Sequence, residues 1–498
     1  MTADWTRGYA SDIDYTRGWY RELSPLWLDT ALALAGVAPP QAAVGNGSPP
    51  QAAGAGPVWL ELGCGHGLSA LALAAARPDM TVIAVDFNPT HIHGAQRLAH
   101  AAGLANIRLV EADFAELAED TTGLLPPVDY VALHGVYTWV GDESRRHIAR
   151  LIARRLKPGG AAYLSYNCLP GWAAAMPVQF LLNAYGQALP GPKAAAGDQA
   201  RDLLLHLLNQ GAGYFTGNAA ASARTDRLRG ATAPYLVHEY MHSGWQPAYH
   251  AQVADDLAAA KLSYAASAAW VENFPDLMMT RAQQDMAASA PTRALAETVK
   301  DYVTNQPLRR DIFVRGPLAL DARQRVARLG ALRLVALGEP GAALPDFTLP
   351  LGSPDPEVSR LFHPVLAVLA GGPATLADLV EHLARTVPDW GPDSAGCLLR
   401  AVAILVAGDV LSPCLADAQI QAALPGVRRL NQALLADSLL MGAAPDHEVR
   451  LPERLASAVT GGGVMASVEE MGALAAHWAG EVVMPPDALS RLARLGVL

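Results

Sequence analysis

The sequence predicts an α/β fold: a parallel sheet covered by helices, carrying a helical insertion and followed by a mainly helical, winged-helix-like C-terminal region. Three observations predict it. From Val58 onward, apolar strand patterns alternate with helical ones, the rhythm of a Rossmann-like sheet. The first turn, GCGHG, is rich in glycine and opens directly into a helical pattern. Beyond residue 316 the strand rhythm stops, and three short helices with one possible strand follow.

At 498 residues the chain is too long for one hydrophobic core, and ordinary domain sizes suggest about three domains. Hydrophobic residues make up 51%, yet no apolar run approaches the roughly 18 residues of a membrane span. The longest candidate, AVAILVAGDVL, is interrupted by Asp409. The opening MTADWTRGYASDIDY has three acids and no apolar segment, so it does not read as a secretory signal and a cytoplasmic location is expected. Cys64, Cys168, Cys397 and Cys414 lie far apart without a CxxC pair, as reduced thiols rather than a disulfide or zinc framework. A net charge of −10 argues against a broad nucleic-acid footprint, and with no spanning run no membrane partner is expected. The expected partner is a small molecule, a peptide or a protein.

Taken in order, residues 24–36 read as a helix with Ser24 as cap, Pro25 in the first turn and Gly36 at the exit. The Pro-, Gly- and Ala-rich stretch 38–57 reads as a mobile loop, closing an N-terminal segment of residues 1–57. VWLEL, TVIAVDF, IRLVEADF, VDYVALHG and AAYLSYN are the five strands of a core over 58–172. The helix DESRRHIARLIARRL puts Ile148, Leu151, Ile152 and Leu156 on one face, so its arginines form a solvated face, and KPGG closes it. Residues 173–316 hold a helical insertion, broken by the loop-like ALPGPKAAAGDQ, and late sheet elements: a helix at HAQVADDLAAAKL and strands at LSYAASAAW and RRDIFVRG. Residues 317–425 are winged-helix-like. With few basic residues in their third helix, they suit protein contact better than DNA. Residues 426–498 are helical.

The turn carries the chemistry. Gly63, Gly65 and Gly67 present bare backbone amides at a helix N-terminus, a place for a nucleotide-like ligand. A dinucleotide fingerprint would need its third glycine at position 68, which is Leu, so no dedicated pyrophosphate grip is present. Glu61, two residues before Gly63, suits an ammonium group. Asp86 ends the second strand beside Phe87, where a carboxylate can accept both ribose hydroxyls. Asp113 and Phe114 end the third strand as an acid beside an aromatic, suited to an adenine. An ammonium, a ribose diol and an adenine without phosphates together describe S-adenosylmethionine.

GCGHG with Glu61, Asp86 and Asp113 resembles the class I methyltransferase fold. Four further stretches narrow the resemblance: YASDIDYTRGWYRELSPLWL, LHGVYTWVGDESRRHIARLIARRLKPGGAAYLSYNCLPGW, VHEYMHSGWQPAYHAQVADDLAAAKLSY and RRDIFVRG. They are similar to bacterial methyltransferases carrying a methyltransferase regulatory domain, including lysine methyltransferases of outer-membrane proteins. The resemblance covers most of residues 9–316 and, more weakly, the helical C-terminal part; the long loop before the first strand departs from it. It implies a lid over the cofactor, to which Tyr15, Trp19 and Tyr20 belong, and N-methylation of a protein lysine or peptide amine.

Methyl transfer needs a neutral nucleophile aligned with a sulfonium, in a lining that tolerates cations. His134, Gly135, Val136, Tyr137 and Trp139, after the fourth strand, are the candidates, with Tyr166 and Asn167 after the fifth. His134, Tyr137 and Tyr166 are assigned to catalysis, His134 also to the cofactor, and Trp19, Trp139, Asn167, Glu239 and Tyr240 to the acceptor. Two alternatives stand beside this one: a small-molecule or natural-product methyltransferase, and a non-catalytic S-adenosylmethionine-binding regulator. HEYMH, residues 238–242, also has the spacing of a zinc-peptidase helix. Pro234 before it and Gly244 and Pro247 after it leave too short a helix, and no third ligand follows, so no metal is expected. The segment reads instead as a wall near the acceptor entrance.

Overall fold

The computed structural model describes all residues except 1–17, 41–55, 121–122, 243, 339–340, 443–453, 466–467, 479 and 481. Tyr15 and most of the 38–57 loop therefore lie outside the described residues. Ser24 caps α1 (Pro25–Leu34), its hydroxyl accepting from the Trp27 amide at 3.4 Å. The helix buries Trp27, Leu28, Ala31 and Leu32 under one face of the main sheet, against Trp59, Tyr130 and Tyr163.

That sheet has seven strands: β1 (Val58–Leu62), β2 (Thr81–Asp86), β3 (Ile107–Glu111), β4 (Val128–Leu133), β5 (Leu156–Asn167), β6 (Leu262–Ser267) and β7 (Leu308–Arg315). They run in the order β3-β2-β1-β4-β5-β7-β6, with β7 antiparallel to both its neighbours. The five early strands and the two late ones thus belong to one sheet. The connecting helices α2 (Leu68–Ala76), α3 (Pro89–Ala101), α4 (Phe114–Glu119) and α5 (Asp142–Arg155) lie between the parallel strands in sequence. The parallel strands bring the loops after β1 through β5 to one edge of the sheet, where ligands of such folds bind.

Two local expectations change. KPGG does not close α5: the chain enters β5 at Leu156, and a register shift against β4 between Val128 and Tyr130 absorbs the irregularity. In the insertion the break is shorter than its composition suggests. Helices Met176–Ala188 and Lys193–Asn209 leave only residues 189–192 between them, because the Ala-rich stretch after Pro192 favours helix; a Cβ on Gly197 in it would lie 3.3 Å from Met241 Sδ.

The C-terminal region contains a three-stranded antiparallel sheet of β8 (Arg333–Ala336), β9 (Ala374–Thr375) and β10 (Leu411–Pro413), in the order β10-β8-β9. Helices Phe362–Leu369, Leu376–Thr386 and Ser394–Ala407 pack with it in the winged-helix-like order. The long helix Asp417–Gly442 and the hairpin of β11 (Arg454–Ser457) and β12 (Gly462–Met465) then return to the first domain. Leu71, Ala72 and Ala75 of α2 share a core with Val427, Leu430 and Val464, so the cofactor-side helix is covered by the C-terminal region. Gly426 sits so close that a Cβ would lie 3.1 Å from the Ala75 carbonyl. No helix among the described residues is long and apolar enough to cross a membrane.

Candidate active site

A cavity of about 780 Å³ opens at the carboxyl edge of the sheet. Its floor is the turn after β1. Gly63 and Gly67 have φ of 73° and 71°, and a Cβ on Gly63 would lie 2.6 Å from the Val136 side chain. Only glycine tolerates both the backbone and the space. The Gly65 amide donates to Asp86 Oδ2 at 2.8 Å and the Asn88 amide to Oδ1 at 2.9 Å, so the acid at the end of β2 ties the turn to the next loop. Each of these oxygens has a further lone pair for a ribose hydroxyl.

Glu61 stands below this turn, 4% exposed, and its Oε2 is buried without a hydrogen-bond partner. Burial, and then the neighbouring Asp86, push its carboxyl up to about 8. An ammonium placed there would supply the missing donor. This orphaned oxygen and the glycine cradle fit an ammonium-bearing nucleoside without phosphates. Asp86, Phe87, Asp113 and Phe114 also line the cavity. Asp113, however, lies beyond the end of β3 and caps α4: its Oδ1 accepts from the Glu116 amide at 2.8 Å while Glu116 Oε2 accepts from the Asp113 amide. One of its oxygens is committed to the helix, so the expected placement at the strand end is corrected.

After β4, His134 is held between two rings. Tyr20 stacks on it with centroids 3.6 Å apart, and its Nδ1 lies 2.9 Å from the Tyr163 hydroxyl. Desolvation holds the imidazole down to about 4, so it is neutral at physiological pH and a weak proton acceptor. Trp139, Val140, Gly141 and Ser144 continue this wall. His238, Glu239, His242 and Gly244 complete the lining. The helix Ala233–Tyr240 ends before His242, whose Nδ1 accepts from the Gly244 amide at 3.0 Å. Burial, then His238, lowers the His242 pKa, so the ring is neutral with its proton on Nε2. Among the described residues no three ligating side chains gather around a metal position.

Several expected residues lie elsewhere. Tyr137 is buried, donates to Asp256 Oδ2 at 2.6 Å and packs under Arg145. Tyr166 is also buried; its hydroxyl donates to Asp311 Oδ2 at 2.5 Å and lies 3.1 Å from His250 Nδ1. Neither lines the cavity, so their assignment to catalysis is corrected. Asn167 turns its backbone to Thr138, and Tyr240 is buried beside Trp172 and Tyr235 with Arg224 donating to its hydroxyl. Trp19 packs on Gly462 and Gly463 instead of the cavity. Conversely, His66, His91 and Ser144 line the cavity and were not singled out for it, whereas His238 and His242 lie on the wall expected of HEYMH. His66 was visible inside the GCGHG turn; its ring lies 4.4 Å from that of His91.

A family model described as a methyltransferase domain matches residues 60–160, and one described as a predicted methyltransferase regulatory domain matches 232–315. An uncharacterized protein of Synechocystis sp., sll1526, is 34% identical over 375 residues, covering 75% of this chain and 71% of that one. The uncharacterized protein RP028 of Rickettsia prowazekii is 28% identical over 184 residues, 36% of this chain and 71% of that one. Among solved structures, PKMT2 from Rickettsia typhi in complex with AdoHcy superimposes with a TM-score of 0.67 at 17% identity, over 93% of this chain and 88% of that chain.

Proposed function

This chain belongs to the class I S-adenosylmethionine-dependent methyltransferases that carry a methyltransferase regulatory domain, and from that premise we propose that its acceptor is an amine, specifically a lysine of a polypeptide. The observation that carries this is the charge of the cavity. Asp86, Glu111, Asp113, Glu116 and Glu239 line it beside the largely protonated Glu61, and its described lining contains no Lys or Arg. Such a field concentrates cations and repels phosphate-rich acceptors. The name of the superimposing protein, a lysine methyltransferase of Rickettsia, supports the same reading.

When bound, S-adenosylmethionine supplies a methyl group activated on a sulfonium. Glu61 would take its ammonium group, Asp86 its ribose, and Asp113 with Phe114 its adenine. The rings of Tyr20 and Trp139 exclude water and tolerate positive charge on their faces. Glu239 lines the cavity from the regulatory region and draws in an acceptor ammonium. Near the apolar surfaces of Val136, Val140 and Trp139, desolvation favours loss of the acceptor's proton to solvent before the methyl transfer, which frees the nitrogen lone pair. His134, with a pKa of about 4, acts as a neutral wall and not as the base.

A free small amine is the second reading, since about 780 Å³ lies in the range of small-molecule pockets. Incubation with methyl-labelled cofactor and a lysate of the source cells, followed by hydrolysis of the protein fraction, decides between them. The expected product is labelled N-methyllysine. Label confined to metabolites, or on oxygen or sulfur, would reject the lysine assignment.

A further inference from the structure

Residues 19–22 form a strap in which each side chain is held by a different part of the molecule. Trp19 lies on β12: a Cβ on Gly463 would fall 2.1 Å from its indole nitrogen, and one on Gly462 2.4 Å from its ring. Tyr20 turns the other way and stacks on His134 in the cofactor cavity, its amide donating to Ser69 Oγ at 3.3 Å. Arg21 donates to the Val406 carbonyl at 2.8 Å and pairs with Asp409 at 2.5 Å, both near the end of helix Ser394–Ala407. Glu22 pairs with Arg310 of β7 at 3.2 Å.

Stacked rings and a bare glycine surface define position sharply, because neither contact survives a shift of an ångström or two. Consecutive residues cannot move independently, so the place of Trp19 on the hairpin restricts the place of Tyr20 over the cavity. On its other side the strap borders a second cavity of about 650 Å³, lined also by Trp27, Trp270 and Val271, into which it has room to shift. We propose that the C-terminal hairpin positions Tyr20 over the cofactor, with Trp19 and Gly463 as the positioning pair. The C-terminal region thereby sets cofactor affinity without touching the cofactor.

The test is calorimetric titration of S-adenosylhomocysteine into the full chain and its variants. Gly463→Ala pushes the indole off the hairpin and should weaken binding by roughly three- to tenfold, the size of one lost ring contact. Tyr20→Ala should weaken it as much, and the double variant no further, because both break one linkage. Trp19→Phe in the Gly463→Ala background should restore affinity by making room for the methyl group. A purely structural hairpin would lower the thermal midpoint without this non-additivity. Should Gly463→Ala fail to fold, Trp19→Ala carries the same expectation. Wild-type affinity in Gly463→Ala, or in Trp19→Ala where that variant stands in, would overturn the proposal, as would additive losses with Tyr20→Ala. Absence of binding by the wild type would instead overturn the cofactor assignment.

Discussion

The two ends of the active-site cavity are built in opposite ways. At the cofactor end, one short stretch of chain supplies Glu61, the glycine turn, Asp86 and His91, and backbone amides tie them together. At the acceptor end, Trp139, Ser144, Glu239 and His242 come from segments up to about a hundred residues apart, brought together by packing. The regulatory region that supplies Glu239 is joined to the sheet through buried charge. Arg309, 1% exposed, pairs with Asp301, Asp311 and Glu297, joining β7 to the helix Arg293–Thr304. Burial alone would raise the Asp311 carboxyl, but Arg309 and His250 hold it well below the usual range. Local sequence lays down the floor of one end, and packing between distant segments builds the other.

That contrast can be broken most forcefully at Arg309. Replacing it by Met removes the cation that three carboxylates share, leaving Asp301 without its ion pair while Glu297 keeps Lys300 and Asp311 keeps His250, and should cost about 3–5 kcal/mol in urea unfolding. A loss under about 1 kcal/mol would mean that packing alone holds the regulatory region to the sheet.

At the cofactor end the expected signature is a proton. With its pKa near 8, Glu61 is mostly protonated at pH 7 and must ionise to receive an ammonium. Affinity should therefore rise with pH up to about 8, by at most tenfold per unit, and level off above it. Calorimetry at pH 7 in buffers of different ionisation enthalpy should register release of up to one proton per cofactor from Glu61. Proton uptake, or none, would contradict an ammonium at this position.

The smallest effect belongs to Glu239, which shares its task with the field of the whole cavity. Glu239→Gln should raise the acceptor KM roughly fivefold, about 1 kcal/mol, and leave kcat nearly unchanged. A large fall in kcat would place Glu239 in the chemistry.

The same contrast explains how much could be read in the sequence. The turn after β1 and the acids at positions 61 and 86 were legible because glycine spacing, strand ends and helix starts are local. The capping box Asp113-x-x-Glu116 was equally local and signalled that Asp113 begins a helix. Tyr137 and Tyr166 were misplaced because adjacency to a strand end does not fix which way a ring turns, and their hydroxyls found Asp256 and Asp311 well over a hundred residues away. HEYMH lies on a wall of the cavity, and its helix ends at Tyr240, as short as Gly244 and Pro247 after it suggested. No local pattern could place Trp19 on glycines more than four hundred residues later.

The most direct test titrates S-adenosylhomocysteine into the wild type, Asp86→Ala and Glu239→Gln side by side. Asp86→Ala removes the acceptor of two backbone amides and of the ribose hydroxyls, and should weaken binding by about 2–3 kcal/mol, roughly 30- to 150-fold. Glu239→Gln should bind within about twofold of the wild type, since its charge serves the acceptor. Equal affinities for wild type and Asp86→Ala, or a loss confined to Glu239→Gln, would contradict the division of the cavity into a cofactor end and an acceptor end.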